Sequence, residues 1–277
     1  MGSSLLTKRS SDLELHLYHG CGNRFFIFDA RSHSFPIGLI PHLCEQYSLD
    51  GTILLKESKT ADHKMVIYNA DGLEAEMCGN GLRCLMQFLV DRGAPQKLSF
   101  ETLDGLYSCQ VTDDEISIRM RAPKKVQWEM PLTLGGKEFN AAYLQQGVPH
   151  LILFFEEVES SHLLDLYEEC QENTSVFPKG VNVSGVQILP NHTFLIQTAE
   201  RGVGRVTGAC GTGAVAAALA ISKRFGFPSP LTAIPPSKES MTIFFSWEGE
   251  KPWGIHLRGP AQRELVLNFT TPYNAQL

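Results

Sequence analysis

The sequence predicts an α/β (α+β) fold of two pseudo-symmetric lobes, each a mainly antiparallel strand barrel around a central helix. Three observations carry this. The stretch Asn69 to Cys84, N-A-D-G-L-E-A-E-M-C-G-N-G-L-R-C, has a counterpart at Glu200 to Ala214, E-R-G-V-G-R-V-T-G-A-C-G-T-G-A, and both run from an acidic, Gly-containing turn to Cys-Gly-x-Gly. Each is followed by a helix pattern, Leu82 to Val90 and Ala214 to Phe225, that is apolar nearly all round, so each helix must be buried on most sides. The two copies keep a near-constant offset, 129 residues from Asp71 to Glu200, 132 from Cys78 to Cys210 and 133 from Gly93 to Gly226, which indicates an internal duplication.

In chain order, the alternating Leu13 to Tyr18 and the run Phe25 to Phe28 are two strands around the turn Gly20-Cys21-Gly22-Asn23. Pro36 to Gln46 predicts a short helix, and Thr52 to Lys56 and Lys64 to Asn69 predict strands. The first apolar helix stops at Gly93 with Pro95 beyond it. Lys97 to Leu103, Leu106 to Thr112 and Glu115 to Arg121 alternate as strands. The second half repeats the order with strands at Glu138 to Gln145 and His150 to Glu156, a helix at Ser161 to Cys170, strands at Val181 to Leu189 and Thr193 to Ala199, and the second apolar helix, ending at Gly226 and Pro228. A last strand pair, Trp253 to Arg258 and Arg263 to Phe269, closes the second half and returns to the first. The predicted division is a lobe at 1–125 carrying Cys78, completed by 268–277, and a lobe at 126–267 carrying Cys210.

Composition narrows the classes. The chain has 277 residues, 43% of them hydrophobic, enough for a sizeable core. A net charge of −6 without any Lys/Arg cluster gives no nucleic-acid face and no polybasic membrane patch. No run approaches a membrane span, and Leu5-Leu6 is too short for a signal-peptide core. Seven cysteines with no CxxC pair argue for free thiols, a reducing cytoplasmic setting and no zinc site. Gly202-x-Gly204-x-x-x-Gly208 lacks the spacing of a dinucleotide loop, no GxxxxGK[ST] is present, and neither Cys78 nor Cys210 begins a Cys-x5-Arg motif.

The chemistry gathers on Cys78 and Cys210. Both are predicted at helix N-termini, where free N–H groups and the helix dipole favour a thiolate and should lower its pKa. Facing each other across a cleft, two such sulfurs could exchange a proton on opposite faces of one carbon, one as base and one as acid. The backbone N–H groups of Gly79-Asn80-Gly81 or of Gly211-Thr212-Gly213 would hold an α-carboxylate on the helix dipoles. Two thiols so placed also predict dependence on reductant. Cys44, Cys84, Cys109 and Cys170 read as core, and Cys21 is left open.

N-A-D-G-x-E-x-E-M-C-G-N-G-x-R-C followed by E-R-G-x-G-x-x-x-x-C-G-T-G resembles the diaminopimelate epimerases over nearly the whole chain. The resemblance implies cofactor-independent interconversion of LL- and meso-diaminopimelate in lysine and peptidoglycan precursor biosynthesis, with no metal and with Cys78 and Cys210 as the acid/base pair. It implies His150 and Glu200 as their polar partners, and Asn23, Asn69, Asn182 and Arg201, with Glu200, as substrate-binding positions beside Gly79, Asn80, Gly211 and Thr212. The partner expected is the small amino-acid substrate, with no nucleic acid and no membrane, and a homodimer is left open. Three departures touch recognition: Val148 where the family often has Asn, Gly51 where it usually has Gln, and Arg24 where an Asp usually stands. They suggest looser substrate choice, including slow racemisation of glutamate. Two other readings stay open, a proline or hydroxyproline racemase of the same architecture and a non-catalytic binding module. From the residues alone, Asn69 and Asn182 could equally be turn residues and Glu200-Arg201 a surface ion pair.

Overall fold

A computed structural model describes residues 12–270. The first half contains β1 (Asp12–Gly20), β2 (Asn23–Asp29), α1 (Ile40–Tyr47), β3 (Gly51–Lys56), β4 (His63–Asn69), the two-residue β5 (Glu74–Ala75), α2 (Gly79–Val90), β6 (Lys97–Thr102), β7 (Gly105–Thr112) and β8 (Glu115–Arg119). The second contains β9 (Lys124–Leu134), β10 (Lys137–Gln146), β11 (Val148–Phe154), α3 (Ser160–Glu172), β12 (Asn182–Leu189), β13 (Thr193–Ala199), α4 (Gly211–Phe225), β14 (Leu231–Ile234), β15 (Met241–Glu248), β16 (Lys251–Gly259) and β17 (Gln262–Thr270).

The duplication is visible in the pairing. In the first half β1–β2 is antiparallel, β2–β3 parallel, β3–β4 antiparallel, β4–β6 parallel, and β6–β7 and β7–β8 antiparallel. In the second half β10–β11, β11–β12, β12–β13, β13–β14, β14–β15 and β15–β16 run through the same series of senses. Helices fall at matching places, α1 and α3 in the first parallel crossover and α2 and α4 in the second. The lobes meet where the equivalent strands β8 and β16 pair antiparallel, Ile116 opposite Gly259 through Arg119 opposite His256.

Strand alternation explains the layering, because successive side chains point to opposite faces. On β3 and β4, Ile53, Leu55, Met65 and Ile67 face inward to the core around α2, while Leu54, Val66 and Tyr68 face outward to a second core under α1. With both faces buried, these strands read as nearly continuous apolar runs. In the second half, Leu151 and Leu153 of β11 pack under α3 while Ile152 faces the core around α4. The residues around α2 and α4 form one continuous cluster, so the central helices share a single interior.

Besides the two-residue β5, three strands escaped the sequence reading. β9 carries a period-two pattern in Val126, Trp128, Met130, Leu132 and Leu134, interrupted by Pro131. β14 and β15 lie in a stretch punctuated by Pro228, Pro230, Pro235 and Pro236. The connections at β9 and β17 are also exchanged. β9 follows the last strand of the first half yet pairs with β10, and β17 follows the last strand of the second half yet pairs with β1 from Gln262 onward. The remainder of the predicted completing segment, residues 271–277, lies outside the described residues. Among the described residues no helix is long and apolar enough to cross a membrane.

Candidate active site

Cys78 and Cys210 are the N-caps of α2 and α4, each extended in backbone (φ −137° and −121°) before the helical turn begins. The glycines therefore form the first turn of each helix rather than a loop before it. The Cys78 sulfur accepts a hydrogen bond from the Gly81 N–H at 3.4 Å, as an N-cap side chain does. The two helix starts abut. A Cβ built on Gly211 would lie 4.0 Å from the Cα of Gly79, in van der Waals reach of the other helix start, and 2.8 Å from Leu257 Cδ2, which would have to shift to admit it.

A buried polar chain lies under the junction. Arg83, fully buried and the one charged residue of α2, donates from Nη2 to Asn80 Oδ1 at 2.8 Å and to the Cys21 sulfur at 3.1 Å, and from Nε to the Pro260 carbonyl at 3.2 Å. Because a guanidinium only donates, Oδ1 of Asn80 must face it, and Asn80 Nδ2 then donates to Asn23 Oδ1 and to the Ala209 carbonyl. Asn23 in turn keeps its own amide N–H groups for other acceptors. The sequence reading missed Arg83, although a charge in a helix that is apolar nearly all round was the available signal.

On the α4 side, Glu200 follows β13 and its Oε1 accepts from the Thr207 hydroxyl at 2.5 Å. His150 on β11 is fully buried and level with Asn182 of β12. Its Nε2 lies 3.0 Å from Thr212 Oγ1, and the same hydroxyl lies 3.6 Å from the Cys210 sulfur. Asn182 accepts the Arg201 backbone N–H at 2.8 Å, while the exposed Arg201 guanidinium donates to the Lys179 carbonyl at 2.7 Å. Asn69 ends β4 at the exposed rim, its carbonyl accepting from Gly72 N–H at 2.9 Å. The structure thus gathers Cys210, Thr212, His150 and Glu200 on one side and Cys78, Gly79, Asn80 and Asn23 on the other. Asn69 and the Arg201 side chain lie at the periphery. A separate cavity of about 400 Å³ between Ala30, Arg31, His33, Phe35 and Lys56 contains none of these residues. Among the described residues no cluster of His, Cys, Asp or Glu is arranged to hold a metal ion.

The expected lowering of the thiol pKa values is not what the site produces. Burial pushes Cys78 up to about 11, opposed only in part by the Gly81 N–H, while Glu200 raises it further and Arg83 lowers it. Burial and then the Glu200 carboxylate raise Cys210 well above the ordinary thiol value, against the Thr212 hydroxyl and Gly213 N–H. The helix starts are real, but desolvation outweighs them. Burial, seconded by Arg201, lowers His150 to about 3, which keeps its imidazole neutral. Burial also raises Glu200 despite its bond to Thr207.

Two of the three departures have structural explanations. A Cβ at Gly51 would lie 2.3 Å from the Tyr68 carbonyl oxygen, so the backbone here admits no side chain at that position. Arg24 makes a two-pronged contact with Glu264 of β17, at 2.9 and 2.8 Å, and donates to the Tyr47 carbonyl at 2.8 Å, fastening the exchanged strand to β2. Val148 stays half-buried at the start of β11.

Paired lobes with two helix N-termini meeting at their junction define a fold that recurs among solved structures. A PhzF-family phenazine biosynthesis protein from Bacillus anthracis superposes with a TM-score of 0.69 at 18% identity, covering 94% of this chain and 99% of its own. A hydroxyproline epimerase from Agrobacterium vitis gives 0.67 at 17% identity over 93% of this chain and 91% of its own. At those identities the likeness establishes the architecture.

The sequence comparisons go further. The family profile described as diaminopimelate epimerase matches residues 15–126 and 142–262. Relatives named diaminopimelate epimerase include one from Chlamydia muridarum, 32% identical over 88% of this chain and 90% of the relative, and one from Aquifex aeolicus, 33% identical over 84% and 90%. Another, from Synechococcus, is 37% identical over 76% of this chain and 83% of the relative. The chain belongs to the diaminopimelate epimerase family.

Proposed function

We propose that this protein interconverts LL- and meso-diaminopimelate without a cofactor, by proton transfer between the α-carbon and two thiols, in the supply of lysine and peptidoglycan precursors in the cytoplasm. The observation that carries the reading is the abutment of two helix starts, each capped by a cysteine. A substrate α-carbon placed between them has one sulfur on each face, and its carboxylate meets the N–H groups of Gly79, Asn80, Gly211 and Thr212. One thiolate removes the α-proton and the opposite thiol delivers its own. For the other stereoisomer the same two groups trade roles.

The high thiol pKa values fit a base that must form at the moment of use. A thiolate whose conjugate acid is weak is the stronger base toward a carbon acid, and a buried sulfur has little solvent to compete with. The names of the relatives support diaminopimelate as substrate, and Asn23, with its N–H groups left unspent, suits a carboxylate. Of the features that suggested looser substrate choice, only Val148 remains without a structural account, so glutamate is a minor reading at most.

The test is α-proton exchange in D₂O with Cys78→Ala and Cys210→Ala, each on both stereoisomers. Both variants should lose epimerisation. Retention of full turnover by either single variant would exclude the two-thiol reaction, and absence of turnover on diaminopimelate by the reduced parent chain would exclude the substrate.

A further inference from the structure

Among the described residues His150 makes no hydrogen bond to either sulfur, yet a single hydroxyl separates it from Cys210. Thr212 Oγ1 lies 3.0 Å from His150 Nε2 and 3.6 Å from Cys210 Sγ. The opposite ring nitrogen, Nδ1, is buried and has no hydrogen-bond partner.

That orphan nitrogen decides the direction of the bridge. A proton on Nδ1 would be a buried donor with no acceptor, whereas a bare Nδ1 leaves only a lone pair unmatched, the more tolerable of the two. The proton therefore belongs on Nε2, which donates to Thr212 Oγ1. With its oxygen engaged as acceptor, the hydroxyl has its one proton to offer, and the second neighbour in reach is the sulfur.

We propose that Thr212 is a positioning residue through which His150 acts on Cys210: Nε2–H donates to Oγ1, and Oγ1–H is aimed at the sulfur, where it steadies the thiolate after Cys210 has released its proton. No bond beyond these hydrogen bonds forms or breaks, and no net charge moves along the bridge. The remaining groups around Cys210 divide by sign. The Gly213 N–H, from the first turn of α4, favours the thiolate, while the Glu200 carboxylate at the end of β13 and Cys78 at the start of α2 oppose it. Ser184 and Thr198 hold each other at 2.9 Å beside the sulfur, their hydroxyls and Cys210 Sγ all lying 3.2 to 3.3 Å from where a Cβ on Gly213 would stand, and both are neutral. Among these neutral groups, the Thr212 hydroxyl alone joins Cys210 to another ionisable side chain, His150.

This deepens the proposed function and rests on Cys210 being one of its two bases, but its test needs no substrate. The intact chain is alkylated with iodoacetamide across a pH series, and adducts at Cys78 and Cys210 are quantified separately by peptide mass spectrometry. In Thr212→Val the alkylation rate of Cys210 below its midpoint should fall about tenfold, the loss expected for one pKa unit, with Cys78 unchanged. Thr212→Ser should restore the parent rate. His150→Asn should lower the Cys210 rate in the parent background and add nothing in the Thr212→Val background. Thr212→Ala gives the same reading if the valine variant does not fold. An unmoved Cys210 profile in the folded Thr212 variants, or independent addition of the two effects, would overturn the proposal. A parent chain that turns over diaminopimelate while these profiles stay unmoved sinks the bridge alone. A shifted profile in a chain with no turnover sinks the substrate alone.

Discussion

Asn80, in the first turn of α2, donates a hydrogen bond at 3.1 Å to the carbonyl of Ala209, the residue directly before Cys210. One amide on the first lobe thus registers the backbone that carries the sulfur of the second, while the same amide nitrogen holds Asn23. Arg83 fixes which way that amide faces.

The orientation of Asn80 is therefore open to a sharp substitution. Asn80→Asp keeps the acceptor toward Arg83 but replaces the donor toward Asn23 and Ala209 with a second oxygen. Steady-state kinetics should show kcat/KM down by about tenfold to a hundredfold, the range expected for one or two hydrogen bonds lost. Urea unfolding should change little, since the introduced carboxylate gains an ion pair with Arg83. A variant within twofold of the parent would show that the amide orientation does not matter.

His150 gives the fold an acid limit. Its folded pKa of about 3 lies below the ordinary value of 6.5, so between those values the unfolded chain binds a proton that the folded chain refuses. Stability from this group is thus full above about pH 6.5 and declines as pH falls, by up to roughly 1.4 kcal/mol per pH unit. Urea midpoints at several pH values should trace that decline, and His150→Asn should flatten it. An equal slope in parent and variant would place the acid sensitivity elsewhere, His16, His63 and His256 being the other histidines lowered by burial.

Arg24 and Gly51 should separate stability from recognition. Arg24→Gln breaks the two-pronged contact with the partly exposed Glu264 and should cost about 1 kcal/mol in chemical denaturation, with kinetics on diaminopimelate unchanged. Gly51→Gln forces a Cβ against the Tyr68 carbonyl and should cost more than about 3 kcal/mol or prevent folding. If Gly51→Gln folds normally and tightens substrate binding, the glycine is a recognition feature after all.

Activity should also depend on reductant. Diamide treatment should inactivate the enzyme, dithiothreitol should reverse it, and a substrate analogue should protect. Peptide mapping would then find Cys78 joined to Cys210. Undiminished turnover after exhaustive oxidation, with both thiols still titratable, would contradict this.

The sequence announced the repeat, the two capped helices and most strands because each leaves a local pattern: a spacing, a period of two, an unbroken apolar face. It was silent on what depends on partners far along the chain. Arg24 looked like a departure until Glu264, 240 residues away, was seen beside it. The thiol pKa departs from the sequence expectation for the same reason, since the helix start is local whereas the burial opposing it is supplied by the whole interior. Proline-rich surroundings hid β14 and β15. In sequence Thr212 offers only its backbone N–H, because nothing near it reveals that His150 folds onto its hydroxyl.

The trading of β9 and β17 between the lobes has a bearing on how such a molecule could arise. Neither half, cut out between Leu134 and Lys137, would own all the strands its barrel needs, because β9 would leave with the first half and β17 with the second. A chain of half this length could close its barrel only by lending its final strand to a twin, and the pocket shared by such twins would come furnished with two identical sulfurs before any gene fusion made them distinct.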